Sequence, residues 1–368
     1  NMFQFCMSLS EIDLSKFNTA SVTDVSQMFE NCNYLQSLDL THFDTSNVKN
    51  MSSMFQYDGY LRQLDLSNFN TKNVEDMSRM FSFCFSLSSI KLSNFDTRNV
   101  KDMSYMFNSL NNLMEIDLSS FDTSKVTTMS RMIQDCYAIN NLDLSKMNTN
   151  NVLDMSRMFT GCSSLSELSI SNFETSNVED MNRMFSNCNS LRQLTLNNFR
   201  TNNVKDMTGM FEYCSNLISL DISSFKTEEV KNMGLMFRNC NKLKEIDVSR
   251  FITSKVESME EMFYACESLE FLDLSNFDTN KVTSFSFFLA ECTSLTSIKM
   301  SKLDTSSLVD MSAMFSRCIS LQSLDLSSFN TKNVKDMSYM FNECQNLPSL
   351  NLANFDTSNV ETMSGIFQ

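Results

Sequence analysis

Residues 61–86 read LRQLDLSNFNTKNVEDMSRMFSFCFS and residues 87–112 read LSSIKLSNFDTRNVKDMSYMFNSLNN, so one chemical pattern returns after 26 positions. Shifting the chain on itself by 26 requires no insertion or deletion from Phe3 to Phe367, which is fourteen periods. One column, Thr19, Thr45, Thr71, Thr97 and onward to Thr357, is Thr in every copy, and the column from Val22 to Val360 is broken only by Leu308. Two more columns hold most of the Met, as in Met51, Met77 and Met103 and in Met28, Met54 and Met80. Phe follows the second of these directly (Phe29, Phe55, Phe81), and all 12 Cys share one column.

A chain of 368 residues is long enough for two or three globular domains, but a strict repeat of this length overrides that prior. The expectation is a single repeat domain over residues 1–368. The chain starts at Asn1-Met2-Phe3 and stops at Phe367-Gln368 in the same phase, which reads as an excerpt cut in mid-repeat at both ends.

Within a copy, Leu64-Asp65-Leu66-Ser67 alternates apolar and polar residues and predicts a short strand buried on one face. From Val74 the apolar residues fall at Val74, Met77, Met80, Phe81 and Cys84, a spacing of three to four that predicts a short helix or 3-10 turns. Asn73 with Asp76, and Asn99 with Asp102, resemble a helix N-cap followed by an acidic first turn. Such a unit cannot bury its apolar face alone, so copies must stack. The expected fold is an α/β solenoid: a right-handed, leucine-rich-repeat-like coil with one parallel sheet face and short helices or 3-10 turns on the other.

With only five Gly and one Pro against 29 Met and 32 Phe, the composition argues against a fold of many distinct turns. The net charge of -15 argues against a nucleic-acid partner, whose phosphates are neutralised by Lys and Arg. It argues equally against an anionic membrane surface. No apolar run approaches the ~20 residues that span a bilayer, so no direct membrane insertion is expected in this segment.

Enzyme signatures are missing. His42 is the only His, and five Gly form no phosphate loop, so no catalytic residues are assigned. Stacking would bring neighbouring Cys to about 5 Å, within disulfide reach. However, Cys84 has Asp58 and Leu110 as column neighbours, and the run from Cys136 to Cys344 holds nine residues, so pairing cannot be complete. Reduced, buried thiols are expected. A Met/Cys set for Cu(I) is possible chemistry, but the regular inward spacing fits packing, and no metal or other cofactor is expected.

Candidate binding residues lie outside the core columns. Asp13, Asp39, Asp65, Asp117, Asp143, Asp221, Asp247, Asp273 and Asp325 share a column that points out from the strands. Like charges at strand spacing repel by roughly 1 kcal/mol per pair in water. The column reads either as a solvated face whose Asp bond local backbone, or as an acidic strip for a cationic partner or weakly held Ca²⁺. Tyr34, Tyr57, Tyr60, Phe83 and Phe85 surround Asp58-Gly59 off the core columns, and Phe271 lies beside the Asp column; both sets are candidate contact patches, since aromatics are favoured at interfaces. Phe285-Ser286-Phe287-Phe288-Leu289 reads as repacked core. The Thr column reads as hydroxyls satisfying their own turns, with a hydroxyl lattice for ordered water or sugar as the alternative.

The pattern LxxLxLSxF followed by FxxCxxL, with FDTSNVxxMxxMF runs, resembles the leucine-rich repeats of BspA-like surface proteins in their 26-residue, Met-rich class, over the whole chain. Where common leucine-rich repeats carry Asn after LxLxx, this chain has Phe43 and Phe69, so their Asn ladder is not expected. The resemblance implies surface proteins of bacteria and protist parasites, often anchored and involved in attachment, and hence a cell-surface or extracellular location. The resulting expectation is a non-catalytic recognition or adhesion scaffold for a protein or glycan of a host or matrix. The alternative is a stalk or fibre built by end-to-end self-association of solenoids.

Overall fold

The computed structural model describes residues 1–300 and 302–368. The chain divides into two compact units, Asn1–Asn177 and Val178–Gln368. In each unit successive 26-residue coils stack as a parallel β-solenoid.

In the first unit β1 (Gln63–Asp65) pairs in parallel with β2 (Ser89–Lys91), Leu64 opposite Ile90, and β3 (Asn141–Asp143) pairs with β4 (Glu167–Ser169), Leu142 opposite Leu168. In the second unit β5 (Gln193–Thr195) pairs with β6 (Ser219–Asp221), and β7 (Phe271–Asp273) with β8 (Ser297–Lys299). Each strand has an inward apolar residue between two outward ones, as the alternation predicts. Among the described residues these strands are three residues long and joined only in pairs, so the expected sheet is present as short two-stranded segments.

The Met-Phe segment departs from its expected form. Among the described residues no α- or 3-10 helix forms. Instead the N–H groups of Met77, Arg79, Phe81 and Phe83 donate to the carbonyls of Asp102, Ser104, Met106 and Asn108 in the next coil, at 2.8–3.2 Å. Those of Met80, Ser82 and Cys84 close tight turns onto the residues three back, Met77, Arg79 and Phe81. A helix would send every N–H four residues back. Tight turns also return the chain inward every three or four residues, which is why the apolar spacing imitated a helix. Isolated parallel bridges continue this seam, Asp24 to Asn50 to Asp76 to Asp102 in the first unit and Asp180 to Asp206 to Asn232 to Ser258 in the second.

The seam holds two left-handed residues per coil, for example Arg79 at φ 56° and Phe83 at φ 64°. Of the positive-φ positions among the described residues, 25 are non-Gly and three are Gly. The low Gly content therefore did not report the number of turns. A non-Gly residue in this region costs roughly 1–2 kcal/mol; here the cost is offset because its N–H is anchored to the following coil.

The invariant Thr also acts between coils. Thr71 Oγ1 donates to the Asp96 carbonyl at 3.1 Å and accepts the Asp96 N–H at 2.7 Å; Thr253 does the same with Asp278, at 2.8 Å in both directions. Each hydroxyl thus satisfies both backbone groups of one residue in the next coil, where a hydroxyl serving its own turn was expected. From Thr45 to Thr331 every Thr of the column is at most 1 % exposed, which removes the water- or sugar-lattice alternative. Asn73, expected as an N-cap, donates from Nδ2 to the Ser46 carbonyl of the preceding coil at 2.7 Å, and Asp76 accepts the Ser78 N–H.

The interior is layered by column. Phe29, Phe55, Phe81 and Phe107 stack at 5.7–5.9 Å with near-parallel rings in the first unit, and Phe185, Phe211, Phe237 and Phe263 at 5.4–5.8 Å in the second. All 12 Cys are free thiols. Cys84 donates its S–H to the Phe55 carbonyl at 3.0 Å and Cys240 to that of Phe211 at 3.2 Å. Burial pushes the Cys136 and Cys214 thiols up to about 12, so they remain protonated and weakly nucleophilic. Phe285, Phe288 and Leu289 are fully buried and Phe288 meets Phe263 edge-on at 5.6 Å, the local repacking expected there; Phe287 points out, 42 % exposed.

Candidate functional site

The outward side chain of each strand begins with what the backbone demands of it. All nine Asp of the column accept the N–H of the residue two positions on: Asp13 from Ser15, Asp39 from Thr41, Asp65 from Ser67, Asp117 from Ser119 and Asp143 from Ser145 in the first unit. In the second unit Asp221, Asp247, Asp273 and Asp325 accept from Ser223, Ser249, Ser275 and Ser327. These are Asx turns that end the strand and steer the chain toward the buried Phe. The Ser119 hydroxyl and N–H hold the Asp117 carboxyl below its ordinary range, and Ser327 does the same for Asp325. Asp65 is held lowest, first by the Lys91 ammonium at 2.7 Å and then by Ser67. The second oxygen of Asp65 and of Asp273 faces outward, where it pairs with the Lys91 and Lys299 ammonium groups. Among the described residues no three His, Cys, Asp or Glu side chains converge as a metal site would require.

Two grooves lie along this face. In the second unit a groove of about 1130 Å³ is lined by Asp221, Asp247 and Asp273 together with Ile218, Lys244 and Phe271. Phe271 is 42 % and Ile218 47 % exposed, and the Lys299 ammonium sits 5.3 Å from the Phe271 ring centre. In the first unit a groove of about 530 Å³ joins Asp117 and Asp143 to Met114, which is 69 % exposed. Sequence reasoning singled out the Asp and Phe271 but missed Met114 and Ile218. Their signal was available: both interrupt the column Arg62, Ser88, Asn140, Ser166, Arg192, Lys244, which is otherwise polar.

The other aromatics form a separate patch in the first unit. Tyr34 stacks on Tyr60 at 5.3 Å, Tyr57 on Phe83 at 4.6 Å, and Phe85 meets Phe83 at 5.9 Å. A Cβ on Gly59 would come within 2.6 Å of Asn33 Oδ1, which accepts the Gly59 N–H at 3.0 Å, so Gly59 permits that bond between coils. Tyr34, Tyr57, Tyr60 and Phe85 are exposed, Phe83 half-buried.

Beneath this patch Asp58 stands in the Cys column, 1 % exposed, with Oδ1 accepting the Cys32 N–H at 2.8 Å. Burial, with a smaller contribution from Glu30, pushes its carboxyl up to about 8 against the pull of that hydrogen bond. The folded chain therefore keeps a proton that the unfolded chain releases near pH 4. The associated stability is fully present below that pH and is lost as pH rises toward 8, at no more than about 1.4 kcal/mol per pH unit. Asp58→Asn keeps the acceptor without the charge. In urea unfolding it should be more stable than the parent at pH 8, with the difference shrinking toward pH 4; a pH-independent difference would refute the buried-acid account.

Comparison with known proteins places the repeat. Many solved structures show similarity, among them the following three. A leucine-rich repeat protein from Bacteroides ovatus is 19 % identical, with 78 % of this chain and 75 % of that one covered at a TM-score of 0.44. A leucine-rich cell surface protein from Faecalibacterium prausnitzii is 18 % identical, with 81 % and 74 % covered at 0.42. An internalin from Listeria monocytogenes is 16 % identical, with 82 % and 76 % covered at 0.25. No curated protein matches the chain. No helix among the described residues is long and apolar enough to cross a membrane. The family described as "Mycoplasma protein of unknown function, DUF285" matches residues 1–113, 82–195, 188–297 and 259–368. These overlapping matches run from the first residue to the last, in keeping with the BspA-like resemblance of the repeat, and the chain belongs to the DUF285 family.

Proposed function

We propose that this chain is a non-catalytic recognition scaffold at the cell surface that binds a protein partner along its strand face. One observation carries the reading: a single groove of the second unit gathers two exposed large apolar side chains, Phe271 and Ile218, among Asp221, Asp247 and Asp273. An apolar anchor ringed by polar and charged groups is the anatomy of a protein interface. The carboxylates favour a partner segment that brings Lys or Arg beside its own apolar residue. Asp325 adds to this charge within the second unit, and Asp13, Asp39, Asp65, Asp117 and Asp143 give the first unit an acidic strand face of its own. Tyr34, Tyr57, Tyr60, Phe83 and Phe85 offer a second contact patch on the turn side, suited to a protein or a glycan.

Selection of displayed peptides on the whole chain tests this. Enriched peptides should carry an aromatic or aliphatic residue flanked by basic ones, and Phe271→Ser with Ile218→Ser should weaken them at least tenfold. Failure to enrich such peptides, or binding indifferent to both substitutions, would remove the groove from the function.

A further inference from the structure

A second surface, distinct from the acidic strand face, carries charge of the opposite sign. In the first unit Arg79, Tyr105, Arg131 and Arg157 follow one another at intervals of 26, all left-handed, at φ 56°, 58°, 56° and 55°. The N–H groups of Arg79, Tyr105 and Arg131 each donate at 2.9 Å to the coil after. Identical backbone and anchoring send these side chains out in one row. The Arg79 and Arg131 guanidiniums lie 4.6 Å and 4.9 Å from the centre of the Tyr105 ring, which holds both in place. Arg157 follows Arg131 in the next coil with no ring between them.

Several other arginines of this chain lie against carboxylates. Arg238 lies over Tyr213 and Tyr264 much as Arg131 lies over Tyr105, but it also meets Glu212 at 3.4 Å and Glu261 at 3.1 Å. Arg317 lies between Glu291 and Glu343 at 3.4 and 3.5 Å, and Arg98 meets Asp96 at 2.8 Å. Among the described residues Arg79, Arg131 and Arg157 have no carboxylate within ion-pair distance. The chain holds 44 acidic residues against 29 basic ones, so carboxylates were not in short supply. The Nε–H of Arg131 is moreover buried and donates to nothing, a donor desolvated without compensation. Burial first, then repulsion from Arg157 and more weakly from Arg79, disfavours the Arg131 charge against the pull of Asp154.

We propose that Arg131 and Arg157, with Arg79 holding the Tyr105 ring beside them, form an anion site that takes a tetrahedral oxyanion, sulfate or phosphate, free or as the ester of a larger molecule. A guanidinium fork matches two oxygens of such a group. A divalent tetrahedral anion offers oxygens to Arg131 and Arg157 together, relieves their mutual repulsion and occupies the idle Nε–H; a carboxylate neutralises only one of the two. Tyr105 fixes Arg79 and Arg131 beforehand, so little side-chain freedom remains to be lost on binding.

The test uses the full chain, titrated with sodium sulfate and sodium phosphate at ionic strength held constant with chloride. Arginine Nε–H resonances and calorimetry serve as readouts. Saturable binding that shifts the Arg131 Nε–H is expected, weakened at least tenfold by Arg157→Gln, less by Arg79→Gln, and unchanged by Arg98→Gln. Glucosamine 6-sulfate against glucosamine forms a second arm: binding of the sulfated sugar with no response to the free anions assigns the site to an ester group. Arg131→Gln puts the Tyr105 stack at risk, so Arg157→Gln, which stacks on no ring, decides if that variant unfolds. Non-saturable shifts in every arm, or an undiminished response in Arg157→Gln, would overturn the site whatever becomes of the groove in the second unit.

Discussion

Phe211→Ala is expected to lower stability by about 4 kcal/mol, seen as a marked fall in the urea midpoint followed by circular dichroism. Phe211 is fully buried, and its ring is stacked between Phe185 and Phe237, each at 5.8 Å and 4°. Truncation removes the transfer free energy of the ring and leaves a hole bounded by two rings that the backbone ladder prevents from closing. The Phe211 N–H is tied to the Met236 carbonyl at 3.0 Å and that of Phe185 to the Met210 carbonyl at 2.9 Å, so the coils cannot slide together to fill it. Phe211→Leu refills part of the volume and should cost less than half as much. Phe287→Ala provides the control, because Phe287 is 42 % exposed and should lose under about 1 kcal/mol. Equal losses at Phe211 and Phe287 would show that the stacked column does not hold the coils.

Thr71→Val is expected to cost about 3 kcal/mol although it conserves shape and adds apolar surface. Removing the hydroxyl leaves the part-buried Asp96 N–H and carbonyl without their partner, and each such loss costs roughly 1–3 kcal/mol. Thr71→Ser keeps both hydrogen bonds and gives up one buried methyl, so it should cost about 1 kcal/mol. The order is the informative part: Val tolerated as well as Ser would mean that packing of the methyl, and not the bond across coils, explains the column. Because stacked coils contact chiefly their neighbours, the Val variant should loosen the adjacent coils first, which amide hydrogen exchange in residues 71–97 would reveal.

Both predictions concern columns visible in the sequence, but the reasons behind them were not equally visible. That Phe, Met, Val, Cys and Thr repeat at one phase was enough to place them inside, since only positions facing other coils are constrained in every copy. The local use of the Asp column was also within reach, because an Asp two residues before a Ser is an Asx turn wherever the chain reverses. Asp117 and Asp143 combine that turn with a place in a groove beside Met114. Sequence alone could not weigh the two roles, since grooves are made by coils side by side and not by one coil.

The sequence by itself determined the 26-residue period, the identity of the buried columns and the parallel pairing of residues one period apart, as with Leu64 and Ile90. It did so because stacking identical units forces identical residues into contact. Only the tertiary structure decided that the Met-Phe segment is a ladder of turns. A spacing of three to four puts apolar residues on one face of a helix and equally inside a chain of tight turns. The two differ in where the N–H of Met77, Arg79 and Phe81 goes, and their partners lie 25 residues ahead. The tertiary structure likewise decided which outward residues come together: Phe271 and Ile218 along one groove, Tyr57 on Phe83, and Arg131 with Arg79 around Tyr105. Each of these meetings joins side chains from different coils, a proximity that exists only once the coils are stacked.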